Sequence, residues 1–103
     1  MDEARAALAA LRRLRADLER DRRPNEVQRG LVDDAAERLA AVALLDHCPD
    51  DLSRRLLAWR DRLGSFVHAA RAFDELDVHA ELAQQLLVRG IDEVLDDALA
   101  LSR

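Results

Sequence analysis

Three histidines and one cysteine are the chain's clearest candidates for metal or acid–base chemistry. His47 and Cys48 adjoin each other between Asp46 and Asp50. A zinc site needs further Cys or His at paired spacing, and none is present. A thiol nucleophile beside its own histidine in sequence seldom converges on it as a base, so Cys48 reads as an inert loop residue. Glu75 and His79 stand four apart and can share a helical face, but two residues are an incomplete ligand set. A di-iron helical bundle would require Glu-x-x-His on inward positions of two helices, and the chain has no such motif. Glycine-rich phosphate loops, G-x-S-x-G and H-E-x-x-H are also absent from the sequence. No cofactor or metal site is expected.

Arg62 and His68 are the sharpest catalytic candidates. Their Arg-x5-His spacing is similar to the motif of the HEPN ribonucleases, small all-α domains that act as dimers. The resemblance implies acid–base chemistry by His68 on a ribose 2′-hydroxyl, with Arg62 steadying the phosphate. It covers seven residues, and the position after the arginine, usually polar in that family, is Leu63 here. On one continuous helix the two side chains lie about 120° apart. Only a break at Gly64 would let them converge. This gives an alternative reading, a HEPN-like ribonuclease of a toxin–antitoxin or defence system.

All sixteen basic residues are arginine. Arginine forks suit carboxylate and phosphate, but a GC-rich bacterial genome produces the same bias through its codons. Arg12, Arg13, Arg15, Arg20, Arg22 and Arg23 gather toward the end of the first helical segment and open a second alternative, a regulator that binds nucleic acid. Asp17, Glu19 and Asp21 are interleaved with them and the chain carries a net charge of −5, which argues against a phosphate-binding face. The same charge argues against docking on a membrane surface. Residues 74–103 hold eight acids against two arginines. A basic first helix beside an acidic last one would set helix pairing through flanking ion pairs, or steer assembly between subunits.

The elements that carry these residues are helical. Half of the 103 residues are hydrophobic, chiefly Leu and Ala, and only three are aromatic. The first helix is expected from Asp2 to Arg22 with its seam at Ala4, Ala7, Leu11, Leu14 and Leu18, stopped by Pro24. Asn25 and Gln28 predict a capping box opening the second helix, which runs to about Asp46 on Val32, Ala35, Leu39 and Val42. Pro49 or Asp50 starts the third, whose seam Leu52, Leu56, Trp59, Leu63, Phe66, Ala70 and Phe73 holds every aromatic residue. Asp74 or Asp77 caps the fourth, with Leu87, Ile91, Val94, Ala98 and Leu101 inward. Near-equal lengths and short loops predict a single all-α domain over residues 1–103, an antiparallel four-helix bundle, or five helices if the chain breaks at Gly64 or Gly90.

Excess apolar surface is the strongest functional signal. Val27, Leu31, Ala43, Leu44 and Leu45 widen the second helix beyond one stripe, and Val78, Leu82, Leu86, Leu95 and Leu99 appear as a second set on the fourth. Leu57 and Val67 fall off the third seam. Such surface marks subunit or partner interfaces. The sequence thus reads as a non-enzymatic protein–protein interaction module of a bacterial cytoplasm, an adaptor, small regulator or assembly subunit. Its expected partner is a second copy of itself, with another protein possible. The interface is placed on Leu57, Val67, Leu82, Leu86, Leu95 and Leu99.

Overall fold

A computed structural model describes residues 2–21, 24–75 and 80–101, all within or between four α-helices. These are α1 (Asp2–Arg20), α2 (Glu26–Ala43), α3 (Asp50–Glu75) and α4 (Ala80–Leu101). No strand occurs among the described residues. Each helix packs on two neighbours, α1 on α2, α2 on α3, α3 on α4 and α4 on α1, around one core 45 × 22 × 19 Å in outer extent.

The predicted seams form that core. Ala4, Ala7, Leu11, Leu14 and Leu18 are all buried, as are Val32, Ala35, Leu39 and Val42, and Leu87, Ile91, Val94 and Ala98. In α3 the buried line is Leu56, Trp59, Leu63, Val67 and Ala70, while Leu52 and Phe73 pack at its margin. Leu101, placed inward by its spacing, is exposed in the last turn.

Local sequence explains the boundaries. The last α1-type bond runs from the Asp21 amide to the Asp17 carbonyl at 2.8 Å, and Pro24 cannot continue a helix. The capping box is complete: the Gln28 amide donates to Asn25 Oδ1 and the Asn25 amide to Gln28 Oε1, both at 2.9 Å. α2 stops at Ala43, earlier than its apolar run suggested, with Leu44 and Leu45 turning outward. The Ser53 amide bonds the Pro49 carbonyl at 2.9 Å, so Pro49 opens α3 where its missing N–H costs nothing. Asp77 and Val78 lie outside the described residues.

Helices α3 and α4 pass unbroken through Gly64 and Gly90. The two glycines do different work. A Cβ on Gly64 would meet nothing within 4 Å, as at Gly30. A Cβ on Gly90 would stand 2.9 Å from Cβ, Cγ and Cδ2 of Phe66, so Gly90 is where α4 closes on α3.

Two side chains complete helix ends from across the bundle. The Ser53 hydroxyl donates to the Ala43 carbonyl at 2.8 Å, and Gln84 Nε2 to the Leu18 carbonyl at 2.7 Å. Both acceptors belong to last turns, whose carbonyls have no partner within their own helix.

Candidate functional site

The continuous α3 separates Arg62 from His68. Arg62 reaches α4, where its guanidinium lies 3.6 Å from Glu93. His68 is exposed in a shallow depression toward α2, with Asp33, Glu37, Arg60 and Asp61 around it. Asp33 is already paired with Arg71 and Asp61 with Arg60. The two candidate catalytic groups therefore serve opposite flanks of the helix.

His47 and Cys48 also part. His47 is exposed, whereas Cys48 packs at the edge of the core. Among the described residues, no three of His, Cys, Asp and Glu are grouped to hold a metal ion. His79 lies outside the described residues, and with it the Glu75–His79 pair.

The charge asymmetry is partly consumed inside the molecule. Arg15 bonds Asp92 of α4 through both Nε and Nη2, the latter at 3.1 Å, and takes Glu19 at 2.8 Å. The Arg15 guanidinium is pushed above its ordinary value, chiefly by the hydrogen bond to Asp92. On the other flank of α4, Trp59 Nε1 donates to Asp97 at 2.6 Å and Arg55 stands 3.5 Å from the same carboxylate. Across α2 and α3, Arg71 spans Glu26 at 2.9 Å and Asp33 at 3.1 Å, and buried Arg29 also bonds Glu26 at 2.9 Å. Hydrogen bonds from Arg71 and then Arg29 hold the Glu26 carboxyl below the usual carboxylate range.

Of the arginines offered for nucleic acid, Arg15 and Arg20 are thus tied to acids. Arg12 and Arg13 are exposed on different sides of α1: Arg12 lines the α1–α4 groove with Arg5, and Arg13 the α1–α2 groove. Arg22 and Arg23 lie outside the described residues.

The six residues expected at an interface divide. Val67 is 1% exposed and belongs to the core, so it is closed to any partner. It was read as off the seam because the stripe was counted through Phe66, which instead sits at the α3–α4 margin against Gly90. Leu57, Leu86 and Leu95 are half-buried against the core. Leu82 and Leu99 are exposed, at 42% and 54%. They do not share a stripe: nine residues, about two and a half turns, separate Leu86 from Leu95. Leu82 and Leu86 accompany Glu93 and Asp97 on the flank facing α3, while Leu95 and Leu99 lie toward α1, where Leu99 lines a groove with Leu8 and Arg12.

One groove was not expected. It runs between α1 and α2 with a volume of about 250 Å³, lined by Ala10, Leu14 and Ala35, with exposed Leu31 and the charged Arg13, Arg38, Asp17 and Asp34 around them. Leu31 and the neighbouring Val27 are among the most exposed large apolar residues of the fold. The signal lay in the sequence as Val27 and Leu31, which extend α2 beyond its seam.

This chain matches no protein-family model, no curated protein and no solved structure. No helix among the described residues is long and apolar enough to cross a membrane.

Proposed function

We propose that the chain is an antiparallel four-helix bundle, a single domain, that acts as a non-enzymatic protein–protein interaction module and associates with a second copy of itself in a bacterial cytoplasm. The observation that carries the reading is the set of large apolar side chains left on the outside of an already complete core: Val27, Leu31, Leu44, Leu45, Leu82 and Leu99. Each such residue covered by a partner contributes apolar burial at about 25 cal/mol per Å². The antiparallel arrangement is supported by contacts between opposite helix ends. Arg71, late in α3, meets Glu26 at the start of α2, and Ser53, early in α3, meets Ala43 at its end. Arg55 and Trp59 meet Asp97 near the end of α4.

The reading is tested by sedimentation velocity and light scattering on the intact chain across the micromolar range. A mass that rises toward a dimer or higher oligomer supports it. A well-folded monomer throughout overturns it.

A further inference from the structure

Resting on that reading, we infer that the self-association surface is the α1–α2 groove, and that two copies bind through it about a two-fold axis crossing near Leu14 and Ala35.

The argument begins with charge. At one end of the groove stand Arg13 and Arg38, at the other Asp17 and Asp34. Arg13 precedes Asp17 by four residues and Asp34 precedes Arg38 by four, so each helix sets its two charges about 6 Å apart along the groove. With the helices running in opposite directions, both arginines fall at the same end and both acids at the other. Such a face is complementary to itself. In an isologous contact residue i meets j and j meets i, so the arginine end of one copy lies on the acid end of the other.

Within the molecule these charges are little used. Among the described residues Arg13, Arg38 and Asp34 show no ion pair, and Asp17 takes Arg20 at 2.6 Å, an exposed contact of the kind that contributes little. The contrast is with Arg15, Arg71 and Asp97, each bonded across a helix boundary.

Shape follows the same symmetry. Leu31 stands beyond the acid end and Ala10 beyond the arginine end, each about one turn from the axis. Val27 lies a further turn out on one side and Ala6 on the other. About an axis that crosses both helices, α2 of one copy lies antiparallel on α2 of the other, so protruding Leu31 and Val27 reach over the partner's α2 beyond its centre. A face of about 28 Å, the length of α1, by about 20 Å is near the lower limit for a specific interface.

A charge swap tests the proposal. One variant carries Arg13→Glu with Arg38→Glu, the other Asp17→Arg with Asp34→Arg, and circular dichroism confirms that both remain helical. Each alone is expected to dissociate at least tenfold more readily than the parent, and a 1:1 mixture to recover a dimer of parental affinity. Arg13→Ala with Arg38→Ala, should the reversed variants not fold, is expected to weaken association several-fold and flatten its salt dependence. Folded variants that self-associate like the parent, or a mixture that stays monomeric, overturn the groove. If Leu82→Arg with Leu99→Arg disperses the dimer instead, self-association stands and the surface lies on α4. A parent chain that is monomeric throughout overturns both readings.

Discussion

The α3–α4 seam and the α1–α2 seam are built from similar residues and use them differently. Between α3 and α4 a glycine admits Phe66, and Asp97 and Glu93 are engaged by Trp59, Arg55 and Arg62. Between α1 and α2 the polar bonds gather at the turn, where Gln28 bridges Asn25 and Asp21, while in the middle of the outer groove Arg13, Arg38 and Asp34 have no ion-pair partner among the described residues. One seam turns its charge inward to hold two helices; the other leaves it facing outward. Formal charge alone does not separate these cases. What separates them is whether a neighbouring helix places an opposite group within reach.

The largest effect that could break this contrast is at Trp59. Trp59→Ala removes a ring that is 5% exposed and strands the Asp97 contact, and is expected to cost about 3–5 kcal/mol. Leu31→Ala, half-exposed in the other seam, is expected to cost under about 1 kcal/mol of monomer stability, and urea unfolding compares the two. Equal losses would mean that both seams serve the fold alike.

Glycine substitutions sharpen the comparison within the α3–α4 pair. Gly90→Ala drives a methyl into Phe66 and is expected to destabilise by about 1–3 kcal/mol, partly offset by improved helix propensity. Gly64→Ala meets open space and is expected to stabilise by about 0.5–1 kcal/mol. Thermal melting of the two variants should shift in opposite directions.

The smallest effect is the pH response of the link between α2 and α3. Because Arg71 and Arg29 hold the Glu26 carboxyl below its ordinary value, its contribution is present above the unfolded carboxylate pKa of about 4.3. It is lost as pH falls through the lower folded value. Melting curves of the parent and Glu26→Gln should differ at neutral pH and converge in acid.

Much of the fold was legible because it is local. Period-3.6 spacing named the seam of α1, that of α2 short of its flanking alanines, and that of α4 apart from Leu101, and Asn25-x-x-Gln28 announced its own capping box. The stripe in α3 drifted by one residue at Phe66 and Val67, because two adjacent large apolar residues satisfy the same spacing and only the partner helix chooses between them. The sequence treated Gly64 and Gly90 alike, since what a missing Cβ permits depends on a helix more than twenty residues away. The candidate surface was less legible. Leu82, Leu86, Leu95 and Leu99 looked like one set in a list, yet the turn of the helix sends them to two flanks. The groove beside Leu31 needed α1 to supply its second wall.

The order of packing carries a kinetic consequence. Three of the four seams join helices consecutive in the chain, and α1 with α4 is the exception. Native contacts therefore close short loops first, a topology of low contact order that places folding in the microsecond-to-millisecond range. The Arg15–Asp92 and Gln84–Leu18 contacts close the longest loop, joining residues 77 and 66 positions apart. Loop-closure entropy makes that seam the slowest to form directly from an open chain, and the two preceding hairpins shorten its search before those contacts lock the ring.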